Sequence, residues 1–212
     1  MAGVRTSHAE QPVLGVLALQ GAFARHAERL AERGHTVRLL RAARDFDGLG
    51  GLVLPGGEST VQLDLLARLG LEGPLVELVR SGCPVLATCA GMILLARGVG
   101  HPAQRSFGLL DIDVARNAYG RQLDSFEAAS DEAWPPAAGD REPSLLPLVF
   151  IRAPRIERVG AGVEVLARHR GEPVLVRAGN ITAASFHPEL TLDARVHDAV
   201  FGPARARRAL AQ

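Results

Sequence analysis

The sequence predicts an α/β fold in which a mostly parallel sheet is covered on both faces by helices. Two observations carry this reading: short runs that are apolar throughout alternate with amphipathic helical patterns, and the runs end in glycine-rich or small-residue turns. A strand with one wet face would instead alternate apolar and polar residues. The chain's 212 residues, 47% hydrophobic and 22% charged, suit one domain that buries roughly 70% of its unfolded-chain surface.

Val13 to Leu19 (VLGVLAL) reads as the first strand and turns at Gln20-Gly21. Ala22 to Arg33 then places Phe23, Ala27, Leu30 and Ala31 on one helical face and ends at Gly34. Thr36 to Leu40 and Leu52 to Leu54 read as strands, the latter running into Pro55-Gly56-Gly57. Ser59 or Thr60 is placed to cap a helix with Val61, Leu65, Leu66 and Leu69 as apolar positions. A helix over Leu71 to Arg80, a strand over Pro84 to Ala87 and a helix over Gly91 to Arg97 complete the alternating part.

After Gly100 the period shortens. Phe107 to Val114, Gln122 to Ala128, Leu148 to Arg152, Val163 to Ala167, Val174 to Val176 and Ile181 to Ser185 are strand candidates, with a hairpin tip at Arg170-Gly171-Glu172. The expected organisation is a flexible extension over 1–12, one domain over 13–202 with a surface insertion at 130–146, and an Arg-rich tail over 203–212. No internal repeat is present.

Composition removes several classes of function. With 24 basic and 23 acidic residues the net charge is +1, which leaves no electrostatic footprint for nucleic acid. Every basic residue is Arg, so neither a lysine Schiff base nor the phosphate-reaching lysine of a P-loop can form within this chain. Cys83 and Cys89 have neither disulfide-framework nor zinc spacing, and no metal or cofactor is expected. The polar start of the chain and the absence of a long apolar run predict a soluble, cytoplasmic protein with no membrane partner.

In a parallel sheet, ligands bind beyond the carboxyl ends of the strands. Gln20, the loop from Pro55 to Ser59 and Cys89 all fall at such ends. Thr88-Cys89-Ala90-Gly91 puts a cysteine between a strand and a helix among small residues, as in a nucleophile elbow, where the helix N-terminus favours a thiolate and offers N–H groups to an oxyanion. A buried structural cysteine fits the same pattern. Cys83, at the opposite end of its strand, reads as structural, and Ala87 stands where many elbows have glycine, so its Cβ threatens to crowd the turn.

Of the seven histidines, His187 alone closes a strand, in Ser185-Phe186-His187-Pro188-Glu189. Glu189 is spaced to orient it, which makes Cys89, His187 and Glu189 a candidate triad beside the plainer reading of a surface pair. His26 reads as an exposed helical residue. Pro55-Gly56-Gly57-Glu58-Ser59 is a glycine-rich turn that could hold an oxyanion, although Glu58 suits an ammonium better than a phosphate.

The stretches GVLALQGAFARH from Gly15, LVLPGGEST from Leu52, TCAGMILLA from Thr88, VARNAYGRQLDSFEA from Val114, VFIRAPRIE from Val149 and SFHPELT from Ser185 resemble class I, triad-type glutamine amidotransferases. More narrowly they resemble the glutaminase subunit of pyridoxal 5′-phosphate synthase. The resemblance implies a three-layer, flavodoxin-like sandwich with a mostly parallel central sheet. It implies that Cys89 attacks the side-chain amide of L-glutamine, that His187 is base and acid, and that Glu189 orients His187. It further implies glutamine binding by Gly57, Glu58, Ser59, Arg116, Ile151 and Arg152, and oxyanion or supporting roles for Gly57, Ala90 and Gln20. The expected partner is a separate synthase subunit that accepts the ammonia. Other readings are the glutaminase of a different class I amidotransferase, such as one serving histidine biosynthesis, a non-catalytic scaffold of the same fold, and a cysteine-elbow hydrolase.

Overall fold

The computed structural model describes residues 12–116, 125–136 and 142–203. The expected extension up to Gln11, the tail from Ala204, Asn117 to Asp124 of the RNAYGRQLD stretch, and 137–141 of the expected insertion lie outside the described residues.

The chain runs β1 (Val13–Leu17), α1 (Phe23–Glu32), β2 (Val37–Leu40), β3 (Leu49–Leu54), α2 (Ser59–Arg68), α3 (Glu72–Arg80), β4 (Val85–Thr88) and α4 (Ala90–Leu95). It continues through β5 (Ala96–Gly100), β6 (Leu110–Ala115), β7 (Ser125–Trp134), β8 (Ser144–Ile151), β9 (Arg155–Val159), β10 (Glu164–His169), β11 (Glu172–Ala178), β12 (Ile181–Ala184) and α5 (Arg195–Phe201).

The central sheet has seven strands in the order β10-β11-β12-β4-β3-β1-β2. The five from β12 to β2 are parallel, and β10 and β11 extend the edge as antiparallel strands. Order 2-1-3-4 followed by a late strand is the flavodoxin-like winding, and the crevice lies where the order reverses. Alternation along the central strands shows that both faces are covered. Leu52, Leu54, Val85 and Ala87 pack into one core with Leu66, Leu75 and Met92 of α2, α3 and α4. Val53 and Leu86 point the other way, into a core with Leu30 of α1, Val196 of α5 and Phe150 of β8.

Several expectations need correction. In α2 the buried face is Ser59, Gln62, Leu63 and Leu66. Val61 and Leu69 are 42% and 51% exposed, because the helix turns polar Gln62 inward to satisfy loop carbonyls. The helix expected over Gly91 to Arg97 stops at Leu95, since Ala96 leaves it to pair with Leu110 in a three-stranded sheet of β5, β6 and β9. Strand β9 was not anticipated at all; its Arg155 to Arg158 sequence carries charges that hide the period.

The reading of 130–146 as a surface insertion also changes. Ser130–Trp134 and Ser144–Leu146 belong to the β7–β8 hairpin, and Ser130 and Leu146 are buried. Buried Arg195 clamps this hairpin through the Ser144 and Leu145 carbonyls, each at 2.9 Å, while Asp193 neutralises it. Trp134 Nε1 donates to the Leu166 carbonyl at 2.9 Å, tying the hairpin to β10.

The turn from β4 to α4 depends on close packing. A Cβ on Gly91 would stand 2.1 Å from the Leu54 carbonyl oxygen. Replacing glycine by alanine inside a helix ordinarily gains about 1 kcal/mol, but overpacking against backbone costs typically 1–3 kcal/mol, so the clash decides the sign. Gly91→Ala is expected to lower the midpoint of urea unfolding; an unchanged or raised midpoint would show that α4 moves freely off β3.

Candidate active site

Four strand ends converge on the reversal of the sheet order. β1 delivers Gln20, β3 delivers the loop from Pro55, β4 delivers Cys89 and β12 delivers His187. Cys89 has φ 47° and ψ −102°, a strained backbone for a residue with a side chain, and it lifts the thiol off the sheet edge. Ala87 does not crowd this turn. It lies within β4 between Leu54 and Ala183, with its methyl group in the core.

His187 and Cys89 line the same cavity. The His187 Nδ1 lies 2.7 Å from Glu189 Oε1. The His187 amide donates to the Val149 carbonyl at 2.8 Å, so the β7–β8 hairpin braces the base. Burial would pull the imidazole down, yet Cys89 beside it and the hydrogen bond with Glu189 hold it up, at about 10. Burial would push the Glu189 carboxyl up; nearby His26 and the hydrogen bond from His187 outweigh it and hold the group at about 2.

The glycine loop is fixed at every peptide. The Gly56 amide donates to Thr88 Oγ1 at 3.0 Å, its carbonyl accepts from the Ala22 amide at 2.9 Å, and the Glu58 amide donates to Gln20 Oε1 at 2.8 Å. Because a trans peptide sets C=O and N–H in opposite directions, the Gly57 N–H points away from Ala22. Gly56 has no room for a side chain. A Cβ there would lie 2.3 Å from His187 Cε1 and 3.2 Å from Cys89 Cβ.

One cavity of about 80 Å³ is lined by Gly57, Glu58, Ser59, Cys89, Arg116, Ile151, Arg152 and His187. Ile93, which sequence reasoning missed, completes the wall. Arg116 pairs with Glu58 at 3.1 Å. Ser59 is the first helical residue and gives no capping bond; its hydroxyl donates to Gln104 at 2.8 Å. Arg152 has φ 44°, a second strained residue at the cavity. Gln20 stands behind the loop and Ala90 opens α4, so neither is among the lining residues.

The expectation for His26 is overturned. It is fully buried, because Leu30 one turn later shares its face and α1 turns that face onto the sheet edge. Its Nε2 lies 3.1 Å from Thr88 Oγ1 and 3.2 Å from Glu189 Oε2, and its Nδ1 lies 3.1 Å from His197 Nε2. Thr88, Gln62 and His197 were likewise missed; for Gln62, helical spacing from buried Leu66 was the available signal. Among the described residues, no group of three or more His, Cys, Asp or Glu is placed to hold a metal.

The shifts set the sign of the pH dependence. A Glu189 pKa of about 2 against an ordinary 4.5 gives stability that is complete above the ordinary value and lost as pH falls toward 2. A His187 pKa of about 10 against 6.5 gives stability that is complete below 6.5 and lost as pH rises toward 10. Urea unfolding should therefore show the wild type losing its advantage over Glu189→Gln on acidification, and over His187→Gln on the alkaline side; parallel curves would contradict both shifts.

Comparison with known proteins agrees with this arrangement. The sequence matches the SNO glutamine amidotransferase family over residues 16–202. The pyridoxal 5′-phosphate synthase subunit PdxT of Thermotoga neapolitana is 46% identical over 184 residues, covering 87% of this chain and 95% of that protein. PdxT of Solibacter usitatus is 50% identical with the same coverage of 87% and 95%. A crystal structure of a glutamine amidotransferase superposes with a TM-score of 0.78 at 43% identity, over 89% of this chain and 98% of that one. The PurLQS structure from Thermotoga maritima, 16% identical, shares the fold with a TM-score of 0.65 over 88% and 92% of the two chains. With the flavodoxin-like winding, the strained cysteine elbow and these matches together, the chain belongs to the SNO glutamine amidotransferase family.

Proposed function

We propose that this chain is a glutaminase that hydrolyses L-glutamine to L-glutamate and ammonia, and that it passes the ammonia to a separate synthase subunit making pyridoxal 5′-phosphate in the cytoplasm. One observation carries the chemistry: the strained Cys89 shares a cavity with His187, whose Nδ1 lies 2.7 Å from the buried Glu189 carboxylate. The synthase assignment is supported by the PdxT relatives, which span nearly their whole length on this chain. No helix among the described residues is long and apolar enough to cross a membrane.

The mechanism follows from the groups in reach. The proton that Cys89 and His187 share rests on His187 as Cys89 Sγ bonds to the amide carbon of glutamine. The tetrahedral oxyanion is held by the backbone N–H groups of Gly57 and Ala90, preset donors that need no rearrangement when charge develops. His187 then gives its proton to the departing nitrogen, the C–N bond breaks and ammonia leaves a thioester. Water, relieved of a proton by His187, attacks the thioester and releases glutamate and the Cys89 thiol. Glu189 holds His187 with its Nε2 toward the sulfur throughout.

The Arg116–Glu58 pair fits the other end of glutamine. The guanidinium suits the α-carboxylate in two parallel hydrogen bonds, and the Glu58 carboxylate suits the α-ammonium. Ser59, Ile151 and Arg152 line the space between. The absence of lysine agrees with this division, because the imine chemistry of pyridoxal assembly must then fall to the partner.

Cys89→Ala is expected to abolish ammonia release from glutamine, assayed with the synthase subunit present, while co-sedimentation with that subunit is unchanged; residual turnover near wild type would sink the nucleophile assignment. Glu189→Gln should lower kcat by about 10²-fold or more, as loss of a triad orienter does, with a smaller change in KM. Matching losses in both parameters would assign Glu189 to substrate binding instead.

A further inference from the structure

Glu189 has two carboxylate oxygens, and the triad uses one. Oε1 receives the hydrogen bond from His187 at 2.7 Å, while Oε2 makes no hydrogen bond among the described residues and has His26 Nε2 beside it at 3.2 Å. Both Glu189 and His26 are fully buried. A buried carboxylate oxygen without a donor is costly, so the proton on His26 matters.

Two arrangements satisfy the distances around His26. In the first, the Thr88 hydroxyl donates to His26 Nε2 and His26 Nδ1–H donates to His197 Nε2, at 3.1 Å in each case. Glu189 Oε2 would then face a bare nitrogen lone pair. In the second, His26 carries its proton on Nε2, donates it to Thr88 Oγ1 with Glu189 Oε2 beside the same N–H at 3.2 Å, and accepts from His197 Nε2–H. Only the second sets the positive edge of an N–H, and not a lone pair, beside the carboxylate oxygen. A doubly protonated His26 is opposed by burial, which holds the group below its ordinary range despite Glu189 beside it.

Thr88 extends the connection. Its oxygen also accepts the Gly56 amide at 3.0 Å, and Gly56 carries the peptide whose N–H is the proposed oxyanion donor. His197 stands at the far end, with its Nδ1 unpartnered among the described residues. It is pushed down to about 3 by burial and by His26, and so serves as a neutral donor that fixes the His26 tautomer.

We propose that His26 is a positioning residue of the glutaminase site: its neutral, Nε2-protonated imidazole holds Glu189 by the oxygen the triad leaves free, and through Thr88 fastens it to the Gly56 peptide. The base side and the oxyanion side of the site then share one buried anchor. The kinetic consequence rests on the glutaminase reading; the proton arrangement does not.

The test compares the full-length wild type with His26→Leu and His26→Gln, assayed with the synthase subunit, alongside thermal melts and ¹⁵N-edited imidazole spectra. His26→Leu should lower kcat by about 10- to 100-fold, the usual loss when an outer partner of a reacting group is removed, with KM for glutamine unchanged. His26→Gln places an amide N–H near the former Nε2 and should recover most of that loss. A merely structural histidine would lower the melting temperature of both variants without that rescue, so equal kcat in the Leu and Gln variants overturns the proposal, as does wild-type turnover in His26→Leu. In the wild-type spectra His26 should be protonated on Nε2 alone near neutral pH, and protonation on Nδ1 would overturn the proposal by itself. If the wild type releases no ammonia, the glutaminase reading falls, while the spectra still decide how His26 meets Glu189.

Discussion

A charged carboxylate kept where no water reaches it is the constraint on which the site depends. Glu189 is fully buried, and its charge survives there because donors replace the water it has lost. His187 supplies one and His26 stands at the other oxygen. Those two histidines come from opposite ends of the chain, so the charged carboxylate can be buried only as α1, β4 and the end of β12 assemble around it. The site is thereby coupled to the fold.

The same density rules the glycine loop. Its amides and carbonyls are taken by Thr88, Ala22, Gln20 and Gln62, residues of three separate segments. Backbone held on all sides keeps its remaining N–H in one direction, and fixed dipoles of this kind stabilise developing charge without rearrangement. The cost is steric: at Gly56 and Gly91 the neighbours stand so close that no Cβ fits without something moving.

Additions to the flavodoxin-like frame also serve the site. The β7–β8 hairpin lends the Val149 carbonyl to the His187 amide and sets Ile151 at the cavity. Arg195 holds the hairpin by its carbonyls, and this arginine leads α5, the helix that also carries His197. A mechanical chain therefore joins the C-terminal helix to both sides of the base. Its links are hydrogen bonds to backbone, so its geometry is more constrained than side-chain packing alone would make it.

The alternation of apolar runs with helical periods was enough to read the parallel sheet, its covered faces and the strand-end positions of Gln20, Gly57, Cys89 and His187, because burial on both faces writes itself into local hydrophobicity. The spacing of His187 and Glu189 was equally local. What the sequence could not settle was which polar residues would turn inward. His26 and Gln62 sit in helices whose apolar residues suggested another face; His26 is held by Thr88 and His197, far along the chain, and Gln62 by the carbonyls of Gln20 and Pro55. The end of α4 at Leu95 and the pairing of Ser130–Trp134 with β8 were likewise settled by strand neighbours, not by intrinsic preference. Periodicity records how much of a segment is buried; only the assembled structure determines which hydrogen bonds make the burial of a polar group tolerable.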